Sequence, residues 1–228
     1  MNHKAYCHSV ELRDLKHKQL EKDYPVVDNG SPLVSLKDTG FKLFYEPSIM
    51  KDYKYLVREE LIEKIGKISE KLTQQNKTLV IRSAWRSFKH QQLLWDANVK
   101  KIQHKFQGRS IDEIHEIVSY FIAPFNKSTH STGGALDVLI LDNKTNKILD
   151  FGTNKGLKIE LSEHCYPLHP SISSRAKNNR KLMMDLMEQE DFVCDLKEYW
   201  HFDFGNIGWG IEKGKDHAIF GIIETVKA

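Results

Sequence analysis

Cysteine is scarce in this sequence. Its three cysteines, Cys7, Cys165 and Cys194, are odd in number and show no C-x-x-C spacing. That excludes a disulfide framework and points to a reducing compartment, with each cysteine a small buried hydrophobe. Long apolar runs are missing too, since no stretch approaches the roughly 18 residues of a membrane-spanning helix. The opening MNHKAYCHSVELRDLKHKQLEKD carries charges throughout and lacks the apolar centre of a secretion signal. A cytoplasmic location is therefore expected, or a periplasmic one if a removed signal preceded this sequence. Charge of one sign is lacking as well. Lys and Arg number 34 against 31 Asp and Glu, and a net charge of +3 is too weak to argue for nucleic acid. With 13 Gly and 6 Pro in 228 residues, the chain is neither collagen-like nor of low complexity.

What is present is the composition of a folded domain. A disordered chain would not carry 4 Trp, 8 Tyr and 11 Phe. The length is ample for a core without staples. No internal repeat and no domain-separating linker occurs. One structural domain is expected, spanning 55–228, with residues 1–54 as an N-terminal extension packed on it.

Residues 22–50 are rich in turn formers and read as short strands and loops. Leu56, Leu61, Ile65, Ile68 and Leu72 then recur at helical spacing, which predicts an amphipathic helix of about 18 residues from Tyr55. Thr78–Ser83 reads as a buried strand. Ser87 is a candidate N-cap for a second helix, and Ser110-Ile-Asp-Glu113 has the capping-box spacing of a third, ending before Pro124. Ala135–Leu141, the turn DNKTNK and the run ILDFG give a hairpin signal. Residues 175–190 predict a helix with Leu182, Met183, Leu186 and Met187 on its core side. DFVCDL and YWHFDFG read as strands. Helices interspersed with hairpin-linked strands predict an α+β fold with a central antiparallel sheet flanked by helices.

Histidine is the residue to sort, because there are 11. His3, His8, His17, His90, His104 and His217 sit in polar surroundings and read as surface. His115-Glu116 opens an H-E-x-x-H pattern, but position 119 is Ser, so the helical ligand pair is absent. His164 and His169 flank Cys165 in SEHCYPLHP, a weak candidate for a metal cluster in a proline-broken stretch. His130 and His201 differ. His130 lies on a loop in Ser128-Thr-His-Ser-Thr-Gly-Gly-Ala-Leu-Asp137, where two glycines let the chain turn back and Asp137 enters an apolar strand. A carboxylate there is costly to bury unless it is paired or binds a metal. Two imidazoles and one carboxylate form a three-ligand set that leaves Zn²⁺ an open position. Glu198, three residues before His201, is the candidate proton-transfer base. Strand alternation, however, sets Glu198 and His201 on opposite faces unless the chain bends between them. On spacing alone, two ordinary half-buried histidines and a turn aspartate fit as well.

STHSTGGALD matches every fixed position of the S-x-H-x-x-G-x-A-x-D pattern of the zinc D-alanyl-D-alanine peptidases, and EYWHF resembles their E-x-W-H element. Within that group the chain most resembles the D-alanyl-D-alanine dipeptidases of the vancomycin-resistance type. Their element reads E-W-W-H where the carboxypeptidases read E-P-W-H, and Tyr199 is aromatic. LVIRSAWRS is similar to the family strand ending in Y-R-P, FGT at 151–153 to M-G-T, and AKNNRKLMMDLMEQEDF to N-R-R-L-L-x-x-x-M-x-x-x-G-F. The similar stretch runs from near Tyr55 to near Gly210.

The resemblance implies a zinc peptidase domain with one Zn²⁺ per chain, held at the sheet by His130, Asp137 and His201. It implies a zinc-bound water as nucleophile, Glu198 as general base and acid, Arg86 as the stabiliser of the oxyanion, and Ser128 in the substrate site. Arg82 is a rival for Arg86, but the family arginine precedes a proline, and Ser87 stands in that proline's place after Arg86. The implied reaction is hydrolysis of D-Ala-D-Ala or a closely related cell-wall dipeptide. Alternatives are a zinc peptidoglycan carboxypeptidase or endopeptidase with another peptide substrate, or a zinc-stabilised binding domain without turnover. The partner expected is a small peptide, with no nucleic acid, membrane or protein partner. One departure bears on selectivity. The family aspartate that receives the substrate's ammonium falls, counted without a gap, on Gly156. Glu160 and Glu163 are nearby acids out of register.

Overall fold

A computed structural model describes residues 2–119, 122–153 and 163–225. Helix α1 (His3–Glu21) opens the chain, with the Asn2 side chain accepting from the Ala5 amide at 2.9 Å. Its sequence has little helical periodicity because only Cys7 and Val10 are buried, so most of its surface faces solvent. The turn-rich region that follows holds strands β1 (Leu33–Ser35) and β2 (Leu43–Tyr45). Next comes β3 (Leu56–Arg58), which pairs antiparallel with β1.

The helix expected from Tyr55 therefore starts later, as α2 (Leu61–Gln74). Tyr55 has φ 47°, and the strand pairing of residues 56–58 overrides the helical spacing that Leu56 happens to match. Leu61, Ile65, Ile68 and Leu72 are all fully buried along one face. Burial of each such side chain contributes about 1.5–3 kcal/mol.

Strand β4 (Lys77–Ser83) follows, then α3 (Phe88–Lys105), whose N-cap Ser87 accepts from the His90 amide at 3.2 Å. Helix α4 (Ile111–Ser119) opens with the expected capping box. Glu113 Oε2 accepts from the Ser110 amide at 2.8 Å, and Ser110 Oγ accepts from the Glu113 amide at 3.3 Å. The hairpin β5 (Ala135–Asp142) and β6 (Lys147–Ile148) is formed. Helix α5 (Ser174–Gln189) buries Met183, Leu186 and Met187, as core filling requires. The chain closes with β7 (Val193–Cys194), β8 (His201–Asp203) and α6 (Ile207–Glu212). Cys7 and Cys165 are buried, Cys194 is half-buried, and all three are free thiols. Among the described residues, no helix is long and apolar enough to cross a membrane.

The fold is α+β. Its main sheet runs β2-β4-β5-β8-β7, with β6 beside β5. Every pair in it is antiparallel except β2–β4, which is parallel because the chain crosses over through β3 and α2 between them. Alternation along β5 decides what each face carries. Leu136, Val138 and Ile140 join Leu79, Ile81 and Phe202 in the core, so Asp137 points to the other face. In the β5–β8 ladder Leu136 lies opposite Phe202, and Asp137 opposite His201. The core register thus sets two polar residues side by side on the second face.

Candidate metal centre

The loop into β5 is shaped by its glycines. Gly133 has φ 77°, a left-handed conformation that L side chains resist. A Cβ on Gly134 would stand 2.1 Å from the Phe204 carbonyl oxygen, so only glycine lets the loop enter the sheet beside β8. The result brings buried His130 back over Asp137. His130 Nε2 lies 3.3 Å from Asp137 Oδ2, and His201 Nδ1 lies 3.0 Å from Asp137 Oδ1. One donor atom from each of the three residues lies within 4.8 Å of the other two.

The far nitrogens of both rings are engaged elsewhere. His130 Nδ1 is 2.9 Å from the Ala84 carbonyl oxygen, which can only accept, so Nδ1 carries the proton and Nε2 offers a lone pair. His201 Nε2 lies 3.1 Å from Asp203 Oδ1 and 3.1 Å from Thr129 Oγ1. A proton on Nε2 satisfies Asp203 and leaves Nδ1 free to ligate. Such outer partners orient imidazole ligands in metal sites, and this donor set of two imidazoles and one carboxylate fits Zn²⁺.

The charges agree with that reading. Burial, helped by the Arg86 cation, brings His130 down to about 4, so it is neutral. Burial works to raise Asp137, but His130, His201 and Arg86 hold its carboxyl well below the usual range. Burial opposes protonation of His201, yet Asp203 and Asp137 outweigh it and raise its pKa. Ligation through Nδ1 requires that nitrogen to give up any proton it carries.

Arg86 donates from Nη2 to Asp137 Oδ2 at 2.6 Å and from Nε to Ser83 Oγ at 2.7 Å, with Gln91 Oε1 3.3 Å from Nη1. Arg82 is turned elsewhere, pairing with Glu46 at 2.6 Å. Of the two arginines, Arg86 is the one at the cluster. Arg86, Ser128, His130, Asp137, Glu198 and His201 all line one open cavity of about 570 Å³.

Glu198 reaches that cavity because the chain bends. The His201 amide donates to the Glu198 carbonyl at 3.0 Å, closing a turn, and β8 starts only at His201. The alternation that would separate the two residues does not extend back to Glu198. Burial, together with the Asp195 charge, pushes the Glu198 carboxyl up to about 8.

Some residues depart from expectation. His90, read as surface, is buried and packs edge-on against Tyr53 with ring centroids 4.8 Å apart, because α3 turns that face toward the cavity wall. Cys165 lies in the main core, so it forms no cluster with His164 and His169. Gly156 and Glu160 lie outside the described residues. Glu163 pairs with His3 at 3.3 Å and is not among the cavity's lining residues. Asp203 and Thr129 were missed at the sequence level. Asp203 had a signal, since it stands two residues after His201 and so shares its strand face.

Residues 45–217 match the peptidase M15 family, described as D-ala-D-ala dipeptidase. The D-alanyl-D-alanine dipeptidase of Escherichia coli is 37% identical over 76 residues, which cover 33% of this chain and 37% of that protein. The Synechocystis D-alanyl-D-alanine dipeptidase is 25% identical, and the match covers 88% of this chain and 95% of that protein. The Enterococcus faecium protein of the same name is 28% identical over 41% of this chain and 44% of its own length. Among solved structures, the vancomycin-resistance D,D-pentapeptidase VanY in complex with Zn(II) has a TM-score of 0.46 at 12% identity, over 83% of this chain and 93% of that one. VanYB in complex with D-alanine-D-alanine has a TM-score of 0.48 at 13% identity, over 83% and 92%. Both are distant likenesses.

Proposed function

The chain belongs to the D-ala-D-ala dipeptidase family of peptidases, and we propose that it hydrolyses D-Ala-D-Ala or a closely related cell-wall dipeptide at a zinc site formed by His130, Asp137 and His201. The observation that carries this reading is the hydrogen-bond pattern around the two imidazoles. The Ala84 carbonyl and Asp203 occupy the outer nitrogens, and the inner ones converge with Asp137. Zn²⁺ held there would supply Lewis acidity towards the attacking water and the scissile carbonyl.

Glu198 takes the proton from the attacking water and returns it to the departing amine. Its carboxyl lines the same cavity without being one of the three ligands, as both transfers require. Arg86 is fixed by Ser83 and Asp137, while its Nη1 has only the long contact to Gln91. That nitrogen is the donor left to meet charge developing on the carbonyl oxygen, a contribution of roughly 10²–10³ in rate. Ser128, buried at the cavity wall, lines the place of the substrate.

The test is to incubate zinc-loaded protein with D-Ala-D-Ala, L-Ala-D-Ala and a tripeptide ending in D-Ala-D-Ala, and to follow free amine. Release from D-Ala-D-Ala is expected. Cleavage of the tripeptide alone transfers the reading to a carboxypeptidase. No release from any of the three leaves a binding domain without turnover.

A further inference from the structure

A second group of side chains able to ligate a metal stands where helix α1 packs against the turn that carries Glu163 and His169. His3 and Cys7 are four residues apart and so project from one helix face. Glu163 and His169 come from the turn packed against that face. One donor atom from each of the four lies within 4.8 Å of the others. His3 Nε2 is 3.3 Å from Glu163 Oε2, and the His3 ring stands edge-on to His169 with centroids 4.8 Å apart. His169 has no exposed surface, and its Nε2 has no hydrogen-bond partner. A buried polar nitrogen without a partner is costly and calls for a ligand. Cys7 is buried beside it, while the Glu163 side chain is 48% exposed, so an ion could enter from solvent.

We propose that His3, Cys7, Glu163 and His169 form a structural Zn²⁺ site, separate from the cluster in the cavity and additional to its single ion. Two imidazoles, a thiolate and a carboxylate make a closed four-ligand set, the arrangement of structural rather than catalytic zinc. With bonds of about 2.0–2.3 Å, tetrahedral donors sit roughly 3.3–3.8 Å apart, so the group has to close by about an ångström. Ligation through His169 Nε2 requires the proton on Nδ1. That exchanges a 3.2 Å contact from the Ser171 amide for a metal bond.

The site would fasten two segments that support Glu198. Further along α1, Glu11 and Asp14 pair with Lys197 at 2.9 and 2.8 Å, next to Glu198 in sequence. The Tyr199 amide donates to the Cys165 carbonyl at 3.0 Å, tying the 163–169 turn to the same place. A metal joining α1 to that turn clamps the Glu198 segment from both sides.

Cobalt distinguishes the two sites. A Co²⁺–thiolate bond gives a near-ultraviolet charge-transfer band that nitrogen and oxygen ligands do not, and the cavity cluster has no sulfur. Co²⁺-loaded wild-type protein is expected to show the band. It should persist in His201→Ala and disappear in Cys7→Ser and His169→Gln, with Cys7→Ser binding one zinc fewer than wild type. A wild-type protein without the band, or a Cys7→Ser variant that keeps it, overturns the proposal. The wild-type spectrum needs no variant to fold, and neither readout depends on peptide hydrolysis.

Discussion

Asp137 and His201 are direct cross-strand neighbours, and their side chains meet at 3.0 Å on the face of the sheet turned away from the core. The pair is set by register. A one-residue slip between β5 and β8 would send Asp137 or His201 into the apolar core. His201→Ala and Asp137→Asn should each abolish zinc binding at the cavity, because two ligands do not hold the ion at ordinary affinity. Metal analysis after dialysis checks this, and full zinc occupancy of the cavity site in either variant would remove the assignment.

Asp203 should act through His201. It accepts from Nε2 and is itself held by Asn206. Replacing it with Ala frees the ring to rotate and to take the wrong tautomer. Loss of such an outer partner costs about 10–100-fold in metal affinity. Competition with a chromogenic chelator measures it, and unchanged affinity would mean that Thr129 alone orients the ring.

Glu198→Ala should keep zinc and lose hydrolysis by roughly 10²–10⁴, because a base that is not a ligand affects only proton transfer. Arg86→Lys should also keep zinc and lose rate. A lysine offers its three N–H groups from one nitrogen and cannot span Ser83, Asp137 and the substrate oxygen as the planar fork does. Steady-state kinetics on the dipeptide substrate, with metal content measured on the same samples, separates the two effects from metal loss.

Much of this arrangement was legible because it is local. The loop from Ser128 to Asp137 returns on itself through two glycines, and the period of β5 sets Asp137 opposite its apolar neighbours. The partnership of Glu198 and His201 was only half legible, because it depends on a turn whose closing hydrogen bond, from the His201 amide to the Glu198 carbonyl, has no composition signature. Helix α1 was not legible, since a helix that buries two residues has almost no apolar stripe. The grouping of His3 and Cys7 with residues 163 and 169 depends on tertiary packing across most of the chain, which no spacing records. Leu56 shows the opposite error, an apolar residue at helical spacing that strand pairing claims instead.

Acid should destabilise the fold through His90. Burial and the Arg86 cation bring its pKa down to about 4, whereas an unfolded histidine titrates near 6.5. Between those values the unfolded chain binds more protons, so stability falls as pH falls from about 6.5 to about 4. His90→Phe should flatten the dependence of Tm on pH there. An equally steep profile in that variant would assign the effect to other groups.

Arg180 should be among the least replaceable residues outside the cavity. It is fully buried and lies 3.9 Å over the Tyr199 ring. Its guanidinium donates to the Phe151 carbonyl at 2.6 and 2.9 Å, to Tyr166 at 2.7 Å and to His164 at 2.8 Å. Burial lowers its pKa to about 10, which leaves it a cation at neutral pH. Its hydrogen bonds go to backbone carbonyls rather than to a carboxylate, so the planar fork is what satisfies them. Arg180→Leu strands these acceptors, at about 1–3 kcal/mol for each one left unpaired. A total loss of about 3–5 kcal/mol is expected, or roughly 6–20 °C in Tm for a domain of this size. Arg180→Lys should fall between, because an ammonium reaches fewer of the acceptors. Because Tyr199 follows Glu198, the same substitutions should lower kcat even where the protein remains folded. Urea unfolding and kinetics on both variants decide the matter, and a lysine variant as stable as wild type would show that charge alone, not the fork, holds these loops.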